Sequence, residues 1–281
     1  MSENYDTLVL SGGSSKGLVI LGALQYGYDN YLLDEIKTYI GTSAGAITCF
    51  LLAIGYTPME IISYICTNQL MEKLQHFNLV AMINNLGALS FTSIYEQLEK
   101  MTIDKIGYLP TFTDLHQKMN KTLICVTYNL TLNQTEYLSF DTTPDLPCLI
   151  ALKMSSNLPL IFENFKYASY LYIDGGVTDN FAIDKGDSLG KKVLGIYIDP
   201  DKKDDYGENN NELNIIKYIY TLMFIPISQT IKYKLQQISD RCHVIKLTHD
   251  KTSLFDFNIN SVEKLEMFSS GYQQTKEIFE I

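Results

Sequence analysis

Residues 38–50 read TYIGTSAGAITCF. Thr38 to Ile40 carry β-type side chains, and from Ala46 to Ile54 the chain is almost wholly apolar, as suits a helix buried on all sides. Between them Gly41-Thr42-Ser43-Ala44-Gly45 matches the pattern G-x-S-x-G. Small residues on both sides of a serine allow a tight strand-to-helix turn that holds the hydroxyl out at the carboxyl end of the strand. The helix behind it offers free N–H groups and the positive end of a dipole, both suited to a developing oxyanion. The same five residues also make an ordinary turn, so the flanking strand and helix carry the reading of Ser43 as a nucleophile.

Upstream, Thr7 to Leu10 is a short strand that runs into Ser11-Gly12-Gly13-Ser14-Ser15-Lys16-Gly17, and Gly17 to Leu33 has helical spacing. Successive small residues there leave backbone N–H groups free to bind an anion. The spacing fits neither a dinucleotide fingerprint, since Ser14 stands where the second glycine belongs, nor a P-loop. A plain strand–helix turn and an oxyanion-binding loop both remain open. Downstream, Gly55 ends the apolar helix, and Thr57-Pro58 forms the cap and first-turn proline of the next.

Leu123 to Thr127 and Glu136 to Phe140 read as strands joined by a turn near Asn133, and Pro147 to Ser156 reads as helix. Tyr170 to Ile173 is a strand that ends at Asp174-Gly175-Gly176. Val193 to Ile198 is a continuous β-branched-rich run, the mark of a central parallel strand. Asp201 to Asn211 is a polar loop, Asn214 to Gln237 is helical, His243 to Leu247 is a strand, and Ser261 to Phe279 closes the chain as a helix. Strands alternating with helices predict an α/β fold, with a mainly parallel central sheet and helices on both faces. Ligands in such sheets bind at the carboxyl ends of strands, where Ser43 and Asp174 both fall.

The composition narrows the partners. Of 281 residues, 22 are Lys or Arg and 32 are Asp or Glu, a formal charge of −10. That leaves no basic face for nucleic acid and disfavours electrostatic adsorption to anionic membranes. Any membrane contact rests on apolar and aromatic side chains. Cys49, Cys66, Cys125, Cys148 and Cys242 are scattered, odd in number and without a C-x-x-C pair, as in reduced, intracellular thiols. The start MSENYDTLVL has no signal-peptide pattern, and no apolar stretch is long enough to span a bilayer, so a cytoplasmic protein is expected.

Four histidines are present: His76, His116, His243 and His249. In a Ser-His-Asp hydrolase the histidine follows the acid, so His243 or His249 would serve. Neither sits in a recognisable turn motif. Ser43 also comes after a single strand, earlier than an α/β-hydrolase places its nucleophile.

The order of motifs resembles the patatin-like phospholipase family, in which a glycine-rich loop follows the first strand, a G-x-S-x-G turn comes soon after, and D-G-G or D-G-A lies far downstream. Here those are Gly12 to Gly17, Gly41 to Gly45 and Asp174 to Gly176. Thr111-Phe112-Thr113-Asp114-Leu115, Ser155-Ser156-Asn157-Leu158-Pro159 with Phe162, and Asn180 after the acid motif are similar to further family segments. The likeness runs over about residues 7 to 200. It implies one catalytic domain spanning 1–281 with a three-layer α/β/α architecture, residues 201–281 supplying helical or lid elements. It also implies a Ser43–Asp174 dyad without histidine, in which Asp174 takes and returns the proton. An oxyanion loop would be formed by Gly12, Gly13, Ser14, Lys16, Gly17 and Ala44. The implied substrates are acyl esters of phospholipids at a membrane or micelle interface, cleaved without a metal or other cofactor. A Ser-His-Asp esterase and a silent lipid-binding relative are the alternatives. Tyr218 to Ile227 (YIYTLMFIPI) and Leu79 to Phe91 are candidate lid or interfacial segments, with core packing as the competing reading.

Overall fold

A computed structural model describes residues 4–68, 87–199, 215–249 and 259–280. The first half of the chain forms β1 (Thr7–Leu10), α1 (Gly17–Asp29), β2 (Thr38–Thr42), α2 (Ala44–Ala53), α3 (Pro58–Thr67), β3 (Gly87–Leu89), α4 (Thr92–Ile106), α5 (Phe112–Met119), β4 (Thr122–Asn129) and β5 (Gln134–Leu138). The second half forms α6 (Cys148–Ser155), β6 (Leu160–Phe162), β7 (Phe165–Tyr167), β8 (Tyr170–Asp174), α7 (Ile183–Ser188), β9 (Val193–Ile198), α8 (Ile215–Leu235), β10 (Cys242–Leu247) and α9 (Ser261–Phe279).

Local chemistry sets most of these boundaries. Thr57 and Glu60 close a reciprocal capping box at the start of α3, with Pro58 in its first turn. Asn133, at φ +54°, turns the chain between β4 and β5. The helix expected over Gly17 to Leu33 stops at Asp29, because the Asn30 amide bonds back to the Tyr26 carbonyl at 2.9 Å and Tyr31 turns to φ +60°. The polar loop 201–211 lies outside the described residues, as does most of the 79–91 segment. The described end of that segment is β3, paired with β6 in a two-stranded sheet, and Phe91 is buried.

The main sheet runs β10-β9-β1-β2-β4-β8-β7, with β5 paired to β4. β10, β9, β1, β2 and β4 are parallel, while β5, β7 and β8 join antiparallel. Side chains alternate between two cores, one on each face of the sheet. Leu8, Leu10, Leu194, Ile196 and Ile198 point to the face covered by α1, α2 and α6. Val9, Val193 and Tyr197 point to the face where Phe181, Ile183, Ile227 and Ile231 pack from the α7 region and α8. With helices on both faces, β9 is buried along all six residues, which explains its unbroken apolar sequence.

The position of the site follows from β4. Its first half pairs with β2, Thr42 opposite Val126, and its second half with β8, Asp174 opposite Thr127. β5 occupies the other edge of β4 across both halves, from Cys125 to Asn129. β2 and β8 therefore share one edge of β4 and run toward each other, so their carboxyl ends meet head to head.

Candidate active site

Ser43, first residue past β2, thus comes to lie against Asp174, last residue of β8. Ser43 takes φ +55° and ψ −127°, a conformation that costs a non-glycine residue about 1–3 kcal/mol and persists only where neighbours enforce it. Both flanking glycines are needed for that enforcement. A Cβ on Gly41 would stand 2.5 Å from the Ala46 backbone, and one on Gly45 would stand 2.5 Å from the Ser11 carbonyl oxygen. The turn is pressed against the end of β1, and larger residues would push it off. The Ser43 N–H donates to Ser155 Oγ at 3.0 Å, which ties the turn to the end of α6.

Asp174 is 1 % exposed. Its Oδ1 accepts the Gly176 N–H at 2.6 Å, and its own N–H donates to the Asn157 carbonyl at 3.0 Å. Oδ2 is buried and meets no donor in hydrogen-bond geometry among the described residues. Burial pushes the carboxyl pKa up to about 7, opposed by contact with the Ser43 hydroxyl and by the Gly176 N–H. A carboxyl poised near neutrality beside a hydroxyl is chemically able to take up that hydroxyl's proton.

The glycine-rich loop runs alongside. The Gly13, Ser14 and Ala44 N–H groups meet no acceptor among the described residues, whereas the Gly17 N–H closes the turn Ser14–Lys16 onto the Ser14 carbonyl. Gly12 departs from the expected role: its N–H is spent on the Asn180 carbonyl at 3.0 Å, and its own carbonyl accepts the Asn180 amide at 3.3 Å. Asn180 thereby clamps the loop to the segment after Asp174. Lys16 is buried, and its N–H donates to the Gly13 carbonyl at 2.9 Å. Ser14 sits at φ +46°, the left-handed region that glycine takes without strain.

Ser14, Gly17, Ser43 and Ala44 line a cavity of about 170 Å³; Gly12, Gly13, Lys16 and Asp174 are not among its lining residues. The cavity lies among α1, α2, α3 and α4 and is lined mainly by apolar side chains, among them Leu21, Ile47, Ile65, Leu98, Met101 and Phe162. Its polar lining comes from Ser14, Ser15, Ser43, Ser156, Thr48 and Tyr64.

The described histidines lie elsewhere. His243 shares a row with Leu194, Leu8 and Tyr39, three strands from β2, or about 14 Å sideways at ordinary strand spacing. The Tyr5 hydroxyl holds it at 2.7 Å and the Phe279 ring stacks on it. His249 lies past the end of β10 on the same far edge. His116 stacks on Phe140 near the start of β4, and His76 is outside the described residues. No cluster of three or more His, Cys, Asp or Glu side chains that could hold a metal occurs among the described residues.

Three supports were not foreseen as such: Ser155 on the Ser43 N–H, the Asn180 clamp, and an ion pair below the acid loop. In that pair Lys234 of α8 reaches Asp179 at 2.7 Å and Asp184 at 2.6 Å, and the Tyr137 hydroxyl donates to Asp179 at 2.7 Å. Ser155 and Asn180 stand in segments whose likeness was visible, but nothing local marks their bonds. The segment Tyr218–Ile227 lies wholly within α8. Tyr218, Leu222 and Ile225 are 45 %, 47 % and 56 % exposed, while Ile227 and Ile231 are buried against the sheet. Among the described residues no helix is long and apolar enough to cross a membrane.

The chain is similar over its whole length to a probable lipid hydrolase, 463L, of Invertebrate iridescent virus 6, at 35 % identity over 98 % of this chain and 89 % of that one. It is 30 % identical to protein R571 of Acanthamoeba polyphaga mimivirus, over 96 % and 92 % of the two chains. The crystal structure of VipD from Legionella pneumophila shares its fold, with a TM-score of 0.55 at 17 % identity over 98 % of this chain and 67 % of that one. Residues 8–185, from the first strand through the acid motif, match the model of the patatin-like phospholipases, and the chain belongs to that family.

Proposed function

We propose that the protein is a serine lipid acyl hydrolase that cleaves fatty acyl esters of phospholipids through a Ser43–Asp174 dyad. One observation carries the reading: β2 and β8 meet on one edge of β4, setting the Ser43 hydroxyl against a buried, near-neutral carboxyl beside an apolar cavity. The cavity accepts an acyl chain and presents its ester at Ser43. Ser43 Oγ attacks the carbonyl carbon as its proton passes to Asp174. The open N–H groups of Gly13, Ser14 and Ala44, with the N-terminal end of α2, hold the oxyanion. Gly12 and Asn180 keep that loop in place. Collapse of the tetrahedral intermediate breaks the ester bond, and the leaving alcohol, a lysolipid, takes the proton from Asp174. Water then attacks the acyl-enzyme, again giving its proton to Asp174, and the free fatty acid departs as Ser43 recovers its proton. The family membership and the lipid-hydrolase name of the viral relative support the substrate class. The exposed stripe of α8 supports contact with a lipid interface: Met223 and Phe224 of the same helix pack on the cluster of Leu89, Phe91, Ile161 and Phe162, of which Phe91 and Phe162 line the cavity.

The test is a fluorophosphonate probe on wild type, Ser43→Ala and Asp174→Asn, read beside fatty-acid release from phospholipid vesicles. Labelling and release are expected from wild type and should vanish in Ser43→Ala. Asp174→Asn should lose about 10²–10⁴-fold in turnover, the range of a positioned proton acceptor. A folded wild type that neither labels nor releases fatty acid would sink the proposal.

A further inference from the structure

The hydroxyls around the cavity are not equivalent. The Thr48 hydroxyl donates to the Ala44 carbonyl at 3.0 Å, and the Tyr64 hydroxyl donates to Gln97 at 2.7 Å. Ser156 lines the same cavity and is 5 % exposed, yet its Oγ meets no donor or acceptor among the described residues. A buried hydroxyl without a partner is costly and is rarely kept where nothing compensates it. Ser156 also has a fixed place. The residue before it, Ser155, holds the Ser43 N–H, and the residue after it, Asn157, holds the Asp174 N–H. Ser156 is thus suspended between Ser43 and Asp174, in the wall of a mainly apolar cavity.

We propose that Ser156 is a substrate-contacting residue whose Oγ–H donates a hydrogen bond to the ester group of the bound lipid as Ser43 attacks. The inference rests on the acyl-hydrolase reading above and adds a side-chain donor to the backbone N–H groups already described. A donor anchored by the segment that joins Ser43 to Asp174 moves with both of them, so it keeps its aim on the reacting ester rather than on the distal chain.

The experiment compares wild type, Ser156→Ala and Ser156→Thr on p-nitrophenyl butyrate and p-nitrophenyl dodecanoate, with denaturant unfolding of each. Ser156→Ala should lower kcat/KM about tenfold on both esters, the scale of one lost hydrogen bond. Its unfolding midpoint should be unchanged or higher, because an unpaired buried hydroxyl has been removed. Ser156→Thr, which keeps the hydroxyl, should retain most of the activity. Wild-type kinetics in Ser156→Ala would overturn the proposal. So would a loss confined to KM for the long chain, or a loss that follows lowered stability and is not restored by threonine. Fluorophosphonate labelling of wild-type Ser43 keeps the two readings apart: if wild type neither labels nor cleaves either ester, the acyl-hydrolase reading has failed, and this inference falls with it.

Discussion

Burial alone lifts Asp174, since no charged side chain contributes to its pKa of about 7. The sign of its pH dependence follows. In the unfolded chain the carboxyl titrates near 4, so between pH 4 and 7 the folded state holds a proton that the unfolded state has released. Stability from this residue is complete below about pH 4, declines through that window and is level above it. Asp174→Asn, which stays neutral and still accepts from Gly176, should therefore match wild type near pH 4. By pH 8 it should be more stable, by at most about 4 kcal/mol in denaturant unfolding. On the proposed mechanism activity runs the other way, because Asp174 would work ionised as the base: wild-type kcat/KM should fall about tenfold per pH unit below 7. A wild type and Asp174→Asn whose stabilities differ equally at pH 4 and pH 8 would contradict the burial argument. At this scale the strand-to-helix turn at Ser43, the loop at Gly13 and Ser14 and the strand end at Asp174 were legible as places in the fold, because each sits in a short motif of small residues. Ser155 and Ser156 were visible as a segment but not as roles. Which of two adjacent serines bonds the Ser43 N–H and which faces the cavity depends on how α6 ends against β2, and no local pattern encodes that.

Elements differ in how openly their residues announce them. β1, β9 and α2 were readable because burial on both faces demands unbroken apolar runs. The hairpin of β7 and β8 was not. Its two-residue turn is Ala168-Ser169, at φ +45° and +72°, where the usual signal is Asn-Gly. The packing of α1 on α9 is silent in sequence for another reason. It depends on Gly22 and Gly271, 249 residues apart in the chain. A Cβ on Gly22 would fall on the Phe268 carbonyl, and one on Gly271 would fall on the Val19 carbonyl, so the helix backbones touch at this crossing. Tyr26 packs beside it against Tyr272 and Phe279. Helix propensity and packing then make opposite predictions for Gly271→Ala. Propensity favours alanine by about 1 kcal/mol. The clash is with backbone, which cannot rotate away, and overpacking of this kind costs about 1–3 kcal/mol or more. We expect packing to win, with Gly271→Ala less stable in urea unfolding. A stabilised variant would mean that the two helices stand farther apart.

For the molecule as a whole, charge and apolar exposure point to one mode of lipid contact. A net charge of −10 repels an anionic bilayer, so attraction must come from burial of apolar surface. In the proposed lipid contact Tyr218, Leu222 and Ile225 would supply it at positions i, i+4 and i+7, one face of α8, while the opposite face of that helix holds the sheet through Ile227 and Ile231. The two faces are separable by mutation. Leu222→Glu with Ile225→Glu removes two half-exposed apolar side chains, each worth about 1 kcal/mol or more when buried in lipid, and adds two desolvation penalties. Co-sedimentation with phosphatidylcholine vesicles should weaken at least about tenfold, and turnover of p-nitrophenyl butyrate, which needs no interface, should hold within about twofold. Wild-type binding should be insensitive to salt and should not increase when anionic lipid is added, because the proposed contact is apolar and the net charge is −10. Binding that strengthens with anionic lipid and fades with salt would relocate the contact to a cationic surface elsewhere on the molecule. Equal loss of vesicle binding and of soluble-ester turnover would instead mean that the α8 face shapes the cavity through Met223 and Phe224 rather than meeting the bilayer.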